Sequence, residues 1–557
     1  MARSIVDPVT RIEGHLRIEM EVENGKVSEA WVSGGCFRGM EMVVENRTPE
    51  DAAIIVQRIC GVCPVSHAQA ATIAAEKSYG ITISNNARIL RNILEGAQFL
   101  HSHILWFYNL AALDYVNPID AVKANIADTY DLAKEAGTSM FSDFGKVQER
   151  LKKFAANGQL SIFSGNWFNS EDGTGYKLPP ELNLICTAHY LEALKIQAKS
   201  SEIAGLVGGK MPHVMTCLPG GITFVPTQQN LGDLWALANE IHDWVEATMI
   251  PDTIALAQFY GDALKFGKGC GRYVAWGVFE DASMEMNKRY LPAGVLDEKL
   301  NVSDVVEGKI TEYVGHSWYK GSETYTSPYF VTEPEFTGYY VDNDAEKAEV
   351  KDRYTWCKAP AYDGKCMEAG GLSRLLVAYK RGVPFVVEQI DGFLEALGAP
   401  GKVELAQSTL GRTALRQIET LYVAKLMKEW IAELIEAIKG GESEYFREPV
   451  TKTGKGTGFW EAPRGALYHS EEVVNGKIKG YQIIIPTTWN IAPRNEQGEM
   501  GPIEQALVGV PVGDLKQPIN ALRTVHSFDP CTACAVHITE PATGKKFETM
   551  TSPWGVK

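Results

Sequence analysis

The chain lacks the features that define several common classes of protein. None of its apolar runs reaches the length of about 20 residues that a membrane-spanning helix needs. Its N-terminus has neither the basic stretch nor the apolar core of a secretory signal. The net charge of -15 means that a phosphate backbone would repel the chain. We therefore expect no nucleic-acid partner and no export signal on this chain, although an exported partner could carry one.

Cysteine is also scarce, with 10 residues in 557, which excludes a disulfide-rich scaffold. Four of these cysteines form two Cys-x-x-Cys pairs, Cys60 with Cys63 and Cys531 with Cys534. The others have no ligand-like spacing and are predicted to be buried free thiols. They are Cys36, Cys186, Cys217, Cys270, Cys357 and Cys366.

Two such pairs could bind one metal ion from two directions, because each pair places two sulfurs about one turn apart. About 470 residues separate the pairs, which is far too long for a zinc finger or ribbon. A thioredoxin-like dithiol would need only one pair. Soft sulfur ligands suit nickel, iron, zinc or copper(I). The spacing alone leaves two interpretations open, a shared four-thiolate metal site and two unrelated pairs of thiols.

The periodicity of the apolar residues predicts an α+β fold that is mainly helical. The turn dipeptides Asn24-Gly25 and Asn475-Gly476 predict antiparallel hairpins. Short alternating runs over 267–366 predict strands and loops at the periphery. Without a repeat or a low-complexity linker, we expect one integrated body. Long helical periods predict a bundle at its centre, and they cover 86–116, 180–207, 230–264 and 412–439.

The first cysteine pair is predicted to lie between two helices. Thr48-Pro49 is typical of an N-cap followed by a proline at the first helical position, and the helix that it begins ends at Cys60. A second helix is predicted from Ser66 to about Gly80, with Pro64 interrupting the pattern between the two. The first pair of sulfurs would then lie at a helix terminus.

Five short motifs surround or contain the cysteine pairs. They are RIEGHLRIE at 11–19, RGME at 38–41, RICGVCPVSHA at 58–68, EAPRGAL at 461–467 and DPCTACAVH at 529–537. Together, and in this order, they resemble the large subunit of nickel–iron hydrogenases, most of all the respiratory, hydrogen-uptake branch. Any one motif would be weak evidence, but the set extends the resemblance over essentially the whole chain.

The resemblance implies a binuclear metal centre and an activity. Nickel would be bound by Cys60, Cys63, Cys531 and Cys534, and the second cysteine of each pair, Cys63 and Cys534, would also bridge to an iron. That iron would carry carbon monoxide and cyanide. The implied reaction is the reversible heterolytic cleavage of H2 to protons and electrons. Thiolates suit this chemistry because they are electron-rich donors that support changes in nickel oxidation state.

The resemblance also implies roles for four charged residues. Glu13 would be the first proton carrier, beside a nickel-bound cysteine. Arg464 would lie over the metal site, where its guanidinium could donate to a ligand of the iron. Asp114 and Asp529 would orient Arg464 by charge pairing. Without the motifs, each of these residues would be interpreted as a solvated charge or as a carboxylate at a turn or helix end.

Further residues would surround the metals. Leu467 would form a wall of the apolar pocket around carbon monoxide, and Thr487 would donate a hydrogen bond to cyanide. A magnesium ion behind the active site would be bound by Glu41, by the backbone carbonyl of Ile483 and by His537. A carboxylate and a carbonyl are usual ligands for this hard cation, whereas histidine is less usual.

Two more histidines are weaker candidates. His67, four residues after Cys63, would either support the metal ligands from behind or be a hydrogen-bonded histidine of the core. His213 would lie near the closest iron–sulfur cluster of a partner subunit.

The C-terminus extends beyond the family pattern. Mature large subunits of the family end at the histidine of the last motif, which is His537 here. This chain continues over 538–557 with a polar segment that contains glycine and proline. The resemblance therefore implies a single body over 1–537 and an extension over 538–557 that a dedicated endopeptidase removes after nickel insertion.

The resemblance implies partners and a location as well. Once the four paired cysteines bind the metals, no cysteine cluster remains for an electron-transfer chain. An iron–sulfur small subunit would therefore carry the electrons, and a membrane cytochrome b or another acceptor would receive them. The expected location is the periplasmic side of the cytoplasmic membrane, reached by export with the partner; the alternative is the cytoplasm.

Two rival interpretations remain at this point. The chain could be a structural protein with a four-thiolate zinc site. It could also be a non-hydrogenase relative of the large subunit of respiratory complex I, although that relative lacks the paired cysteines. Metal analysis separates the first rival from a hydrogenase, because only the hydrogenase would contain nickel with iron.

Overall fold

The computed structural model describes residues 2–35, 37–160, 175–326, 333–337, 353–450 and 452–532, with the backbone of 538–539 and 546–547. The first eight α-helices are α1 (Met40–Val43), α2 (Pro49–Ile55), α3 (Pro64–Tyr79), α4 (Asn85–Ile104), α5 (Ile126–Glu135), α6 (Phe144–Ala156), α7 (Pro180–Gly208) and α8 (Gln228–Trp244). The next are α9 (Ile250–Phe259), α10 (Gly371–Lys380), α11 (Pro384–Ala396), α12 (Thr409–Lys439), α13 (Pro486–Asn490), α14 (Pro502–Leu507) and α15 (Ile519–Ser527).

The strands are short and antiparallel. The first eight are β1 (Ala2–Val6), β2 (Leu16–Glu23), β3 (Lys26–Gly34), β4 (Cys217–Leu218), β5 (Gly221–Ile222), β6 (Tyr273–Ala275), β7 (Gly294–Leu296) and β8 (Val302–Ser303). The others are β9 (Ile310–Tyr313), β10 (Thr324–Thr326), β11 (Ala359–Tyr362), β12 (Gly454–Ala462), β13 (Gly465–Val474), β14 (Lys477–Ile484), β15 (Ile538–Thr539) and β16 (Lys546–Phe547). Three-stranded sheets form in the orders β1-β2-β3, β6-β7-β8, β10-β9-β11 and β12-β13-β14. Small antiparallel sheets beside many helices confirm the α+β class.

The long helical periods correspond to real helices, but two of them are interrupted. Helices α7 and α12 match the predicted ranges to within a few residues. The period that begins with α4 continues as a π-helical turn at Leu105–Ala111 and a tighter turn at Ala112–Asp114. The predicted helix over 230–264 is divided into α8 and α9 by a π-helical turn at Val245–Met249. Pro251 explains this division, because it has no N–H to continue the α-helical hydrogen bonds.

The longest helices pack directly against one another. Helix α4 lies against α7 and α12, and α8 contacts both of these. Gly96 of α4 allows a close approach, because a Cβ atom there would lie 2.4 Å from the Met427 sulfur of α12. The apolar residues between these helices form the largest buried cluster, which also contains Cys60, Cys63 and Cys531. In the part of the chain that the structure describes, no helix is both long and apolar enough to cross a membrane.

Both predicted hairpins are confirmed. Asn24-Gly25 joins β2 to β3 and Asn475-Gly476 joins β13 to β14, each as a two-residue turn. All four turn residues have positive φ, between 51° and 75°, which asparagine and glycine tolerate best. The predicted strands and loops over 267–366 are also confirmed within the described residues, as β6 to β11.

The helices around the first cysteine pair follow the predicted order. Thr48 caps α2 by accepting the Asp51 N–H at 3.1 Å. Helix α3, however, begins at Pro64 rather than at Ser66. The prediction placed Pro64 outside the helix, whereas a proline is favourable at the first helical position because its missing N–H has no partner there. The helix ends as predicted, at Gly80 in the left-handed conformation.

Helix α3 lies on the sheet β12-β13-β14 with unusually little space between them. Gly454, Gly456 and Gly458 of β12 each face a backbone carbonyl of the helix, and a Cβ atom at any of them would lie 2.0 Å from that oxygen. The carbonyls belong, in the same order, to Ser78, Ala74 and Ala70. No side chain larger than hydrogen fits at these positions unless the helix moves away from the sheet.

The isolated cysteines are mostly buried, as predicted. Cys186, Cys217, Cys270 and Cys366 are buried free thiols, whereas Cys357 is only partly buried. Cys36 lies outside the described residues.

We predict that Gly456→Ala lowers the stability of the fold. The new methyl group would meet the Ala74 carbonyl, and overpacking of this kind costs about 1–3 kcal/mol. Urea denaturation followed by circular dichroism measures the change. Gly480→Ala in β14 is the matched control, because nothing lies within 4 Å of its Cβ position. Equal midpoints for the two variants would contradict the close packing.

A buried ion pair between α7 and α9 gives a second prediction. His189 Nδ1 lies 2.8 Å from Asp252 Oδ2. Burial alone would lower the pKa of His189, but Asp252 raises it above its ordinary value. The pair therefore stabilises the fold fully at pH values below about 6.5, the pKa of His189 in the unfolded chain. This contribution is lost as the pH rises through the higher pKa of His189 in the folded protein.

His189→Gln should consequently cost more stability at about pH 5.5 than at about pH 9. The measurement is the difference in urea midpoint between wild type and variant at each pH. His242→Gln, which alters a partly exposed histidine, provides the control. A loss that is the same at both pH values, or larger at the higher one, would show that His189 is not charged in the folded protein.

Candidate metal centre

The first two sulfurs lie between α2 and α3. Cys60 follows a tight helical turn and has an extended backbone, and Cys63 immediately precedes α3. The backbone N–H groups of Val62 and Cys63 donate to Cys60 Sγ at 3.3 and 3.2 Å. The backbone of the Cys-x-x-Cys turn therefore fixes the first sulfur in place.

The third sulfur comes from the opposite end of the chain. Cys531 Sγ lies 3.1 Å from Cys60 Sγ, although the two residues are 471 positions apart. The sulfurs of Cys60, Cys63 and Cys531 all lie within 4.8 Å of one another and are buried. In the described ranges this is the one group of three histidine, cysteine or acidic side chains with such spacing. Cys534, the fourth predicted ligand, lies outside the described residues.

Hydrogen bonds fix the segment that carries Cys531. Its N–H donates to Thr487 Oγ1 at 3.0 Å, and the Thr532 N–H donates to the Glu13 carbonyl at 2.7 Å. Cys531 Sγ lies 3.0 Å from Glu13 Oε2 and donates to it. The structure therefore brings the predicted proton carrier into direct contact with a thiol of the cluster.

Arg464 and Asp529 form an ion pair beside the thiols. Arg464 Nη2 lies 3.0 Å from Asp529 Oδ1, both side chains are 2% exposed, and Arg464 Nη1 donates to Ser102 Oγ. Burial alone would lower the pKa of Arg464, but Asp529 and the three thiols raise it above its ordinary value. Burial raises the pKa of Asp529, with Arg464 opposing this effect. The guanidinium is therefore a permanent cation at the cluster.

Asp114 does not have the predicted partner. Among its described contacts, its carboxylate pairs with Arg11 Nη2 and with His526 Nδ1 rather than with Arg464. Although burial would raise it, Arg11 and His526 hold the pKa of Asp114 well below its ordinary range. The reason is topological, because the turn after α4 meets the N-terminal segment and α15 at this point. Asp114 thus holds Arg11, which lies two residues before Glu13 in the RIEGH segment.

A cavity of about 10 Å³ lies between the three thiols, and its wall includes His67, Arg464 and Thr487. Leu467 is fully buried in the same apolar core but is not part of this wall. Burial alone would raise the pKa of Cys60, but hydrogen bonds from Cys531 and Cys63 hold it well below that of an ordinary thiol. Three converging sulfurs, one of which favours the thiolate, fit a soft metal such as nickel, iron or zinc.

Two of the three residues predicted to bind magnesium also meet. Glu41 Oε1 accepts the Ile483 N–H at 2.8 Å, and Glu41 Oε2 lies 3.7 Å from Lys358 Nζ. Both residues border a cavity of about 160 Å³ that extends to Cys531. The contact observed for Ile483 involves its amide rather than the predicted carbonyl. His537, the third predicted ligand, lies outside the described residues.

The two weaker histidine candidates have different surroundings. His67 Nδ1 lies 3.1 Å from His469 Nε2, and burial lowers the pKa of His67 to about 4. His213 is partly exposed, and burial and the nearby Arg58 lower its pKa. Of these two histidines, His67 is the one that lines the cavity between the thiols.

Sequence reasoning missed several residues of this region. Arg11 and His469 could have been found, because Arg11 lies within a motif that was already identified and His469 lies two residues after another. Tyr481, whose hydroxyl lies 2.8 Å from His469 Nδ1, carries no such signal, and neither do Ser102 and His526. Each becomes part of the site only through the contacts of distant elements.

The geometry defines a class of protein, one that buries a cluster of cysteine thiols from both ends of the chain with the spacing of metal ligands. A family model described as "Nickel-dependent hydrogenase" matches residues 38–537, and one described as "HoxL-like" matches 4–33. The chain therefore belongs to the nickel-dependent hydrogenase family. Neither the zinc-scaffold interpretation nor the complex I interpretation is favoured by these matches.

Known proteins of the family align with almost the whole chain. The Hydrogenase-2 large chain of Escherichia coli (strain K12) is 37% identical, with 97% of each chain covered. The uptake hydrogenase large subunit of Rhizobium leguminosarum bv. viciae is 36% identical, over 97% of this chain and 96% of its own length. The Ni-Fe-Se hydrogenase of D. vulgaris Hildenborough in its oxidized state is structurally similar, with a TM-score of 0.78, 33% identity, and coverage of 96% of this chain and 100% of its own.

We predict that Asp529→Asn destabilises the protein strongly. The substitution leaves Arg464 buried without its anion, and losing one partner of a buried ion pair costs about 3–5 kcal/mol. Urea denaturation measures the loss. Asp363→Asn is the matched control, because Asp363 has the same φ of 53° and an ion pair with Lys309, but at the surface. If the two variants were equally stable, the buried pair would have no structural role.

Proposed function

We propose that this chain is the catalytic subunit of a nickel–iron hydrogenase and that it cleaves H2 reversibly and heterolytically to protons and electrons. The observation that carries this proposal is the convergence of Cys60, Cys63 and Cys531 within 4.8 Å, in a chain that belongs to the hydrogenase family. Nickel would be held by these three sulfurs and by Cys534. Cys63 and Cys534 would be shared with iron. When bound, this metal pair would supply the electron-accepting chemistry that splits H2.

Glu13 is proposed to move the proton that the reaction releases. Its Oε2 lies 3.0 Å from Cys531 Sγ, within reach of a direct transfer. The backbone of the same residue accepts from the Thr532 N–H, so the carboxylate and the thiol are held together from both sides. The Cys531 thiol would therefore pass its proton to Glu13, and Glu13 would pass it away from the cluster.

Arg464 is proposed to donate to ligands of the iron, with Asp529 holding its orientation. Arg464 Nε is buried and has no hydrogen-bond partner among the described residues, whereas Nη2 is paired with Asp529. Unpartnered buried N–H groups are costly, so they favour a ligand that accepts from them. Cyanide on the iron would fit Arg464 and Thr487, whose hydroxyl accepts from Cys531 and keeps its proton to donate. Carbon monoxide would lie toward the apolar side of the site, near Leu467.

Magnesium is proposed for the neighbouring cavity, bound by Glu41, the Ile483 carbonyl and His537. The contact between Glu41 and Ile483 supports this placement, since it brings one carboxylate and one backbone segment together. Asp114 is proposed to act indirectly, by holding Arg11 and with it the segment that carries Glu13.

The chain is proposed to work with an iron–sulfur small subunit. Its relatives are called large chains or large subunits, which implies a smaller partner. Electrons would pass through that partner to a membrane cytochrome b or another acceptor. We propose the periplasmic side of the cytoplasmic membrane as the location, reached by export with the small subunit, with the cytoplasm as the alternative.

The domain organisation is also proposed. Residues 1–537 would form one body around a central bundle of α4, α7, α8 and α12, an arrangement supported by the contacts among these helices. Residues 538–557 would be an extension that an endopeptidase removes after nickel insertion.

Two measurements on the purified complex test the metal assignment. Elemental analysis should find nickel and iron, and infrared spectroscopy should find bands of carbon monoxide and cyanide. Cys531→Ser should lose nickel, because a hard hydroxyl replaces a soft thiolate, whereas Cys186→Ser should keep it, because that buried thiol lies outside the cluster. Zinc alone in the wild type would instead support the structural zinc site.

The proton step has its own test. Glu13→Gln should retain nickel and iron but lose at least about 100-fold in H2 uptake, because an amide cannot accept the proton and general acid–base groups contribute about 10²–10⁴-fold. Uptake is measured with a dye acceptor, and Glu21→Gln on β2 is the control. Undiminished uptake in Glu13→Gln would exclude Glu13 from the proton path.

The extension is tested by mass spectrometry of the large subunit from active complex. The expected mass is that of a chain ending at His537. A full-length chain in fully active complex would contradict removal of 538–557.

A further inference from the structure

Two cysteines outside the metal cluster lie side by side, although they are far apart in sequence. Cys270 and Cys366 are buried free thiols, with 8% and 4% of their surface exposed. A side-chain hydrogen bond with Cys270 is the largest of the influences that raise the pKa of Cys366 well above its ordinary value. Neither the proposed reaction nor the proposed metal centre uses these two sulfurs.

The backbone brings the two segments that carry these cysteines together. Tyr273 and Glu368 form a parallel bridge, and two residues earlier the same segments reach Gly271 and Cys366. Cys270 directly precedes Gly271, so it lies beside Cys366. Neighbouring strands lie about 4.8 Å apart, which falls within the range of about 4.4–6.8 Å between the Cα atoms of disulfide-bonded cysteines. The fold therefore permits a bond between the two sulfurs.

Arg272 contacts both cysteines and supplies a positive charge to the pair. Cys270 Sγ donates to the Arg272 carbonyl at 3.3 Å, and Arg272 Nε donates to the Cys366 carbonyl at 2.9 Å. Ion pairs with Glu298 and Glu499 hold the guanidinium in place. Its charge opposes the rise in the pKa of Cys366. A cation beside a thiol favours the thiolate, which is the form that reacts with oxidants.

The loop that carries Cys270 is built to change its backbone angles. Gly269 and Gly271 flank Cys270 with φ of 73° and 69°, and glycine adopts either sign of φ about equally readily. Cys366 is held more firmly, because its Sγ accepts from Gln505 Nε2 at 3.6 Å. Closure of a bond between the sulfurs therefore requires movement mainly of the glycine loop.

We propose that Cys270 and Cys366 form a redox-modification site, separate from the metal centre, in which hydrogen peroxide converts the two thiols into a reversible disulfide. Cys270, the more exposed of the two, attacks one oxygen of the peroxide. The O–O bond breaks, water leaves with the displaced proton, and Cys270 becomes a sulfenic acid. The Cys366 sulfur then attacks the Cys270 sulfur, and the S–O bond breaks to release a second water.

The electrons and protons of this reaction balance. The two thiols together lose two electrons and two protons, and one peroxide is reduced to two waters. A dithiol reductant reverses the reaction by thiol–disulfide exchange and is itself oxidised to a disulfide. No metal takes part, so the proposal is independent of the nickel–iron assignment.

The disulfide would fasten the glycine loop to a segment that supports the metal site. Glu368, two residues after the second cysteine, is held by Arg412 of α12, whose Nε lies 2.7 Å from Glu368 Oε1. Gly370 then packs against the turn that carries Arg464, where a Cβ atom on Gly465 would lie 2.6 Å from the Gly370 nitrogen. The bond would close a loop of roughly 100 residues, which reduces the entropy of the unfolded chain.

Peptide mapping of the complex with its small subunit tests the bond directly. The folded complex is treated with hydrogen peroxide, unfolded in urea, alkylated and digested without a reductant. We expect a cross-linked pair of peptides that contains Cys270 and Cys366 and that dithiothreitol separates. Cys186 is the internal control, because it is a free thiol with the same 4% exposure as Cys366, and it should be recovered in alkylated form.

The variant Cys366→Ser tests the order of the two steps. Without the second sulfur, the sulfenic acid on Cys270 has no thiol beside it, and a cyclic dione that traps sulfenic acids should label this residue. Wild type treated in the same way should give the cross-link instead of the label. An unlabelled Cys270 in the variant would overturn its assignment as the attacking thiol.

Thermal unfolding tests whether the bond fastens the fold. The oxidised complex should unfold about 4 °C above the reduced complex, as expected from closure of a loop of this length in a chain of this size. Cys366→Ser should unfold at one temperature after either treatment. Equal midpoints for oxidised and reduced wild type would reject the stabilising effect.

Three results of the peptide map would overturn the proposal as a whole. The first is alkylation of both cysteines after peroxide treatment. The second is oxidation of Cys270 to sulfinic or sulfonic acid in wild type without any cross-link. The third is a cross-link from either residue to a different cysteine.

Discussion

The backbone contact between α3 and β12 is the constraint on which the site depends. Four helical residues rise about 6 Å and two strand residues about 6.7 Å. The contact between a glycine of β12 and a backbone carbonyl of α3 therefore repeats along both elements. The series of glycines in β12 ends at the next alternate position, Trp460. Its indole N–H donates to the buried Glu95, which also accepts from the Ser66 hydroxyl of the helix. Helix α3 begins at the first cysteine pair, whereas Arg464 belongs to the turn of the sheet. Their separation is therefore set by backbone atoms, which cannot rearrange as side chains do.

Local structure could be predicted from the sequence where a few adjacent residues decide it. The Asn-Gly hairpins need positive φ at two positions, and the cap at Thr48 needs one side-chain oxygen, so each has a short and specific signal. The interrupted helices could not be predicted in the same way. The apolar period runs through Val245–Met249 without a break, and the π-helical turn arises from how Pro251 is accommodated in a packed core.

The contacts of the site could be predicted only for residues that belong to the five sequence motifs. The motifs placed Glu13 beside a cysteine and Arg464 beside Asp529, and both contacts occur in the structure. The partner of Asp114 was predicted incorrectly, because its surroundings combine three segments that are distant in sequence. The contacts of His469 with His67 and Tyr481 were missed for a related reason, since they depend on both the register of a sheet and the close approach of a helix.

The separation of 471 positions between Cys60 and Cys531 has a consequence for biosynthesis. At about 5–20 residues per second, a ribosome that has made the first cysteine pair needs roughly half a minute to a minute and a half to make the third sulfur. During that time the early thiols exist without the rest of their ligand set. A chain that terminates early never acquires this set, whichever of its helices have folded. Metal loading at this centre therefore distinguishes a chain that reaches the second cysteine pair from any fragment that ends before Cys531.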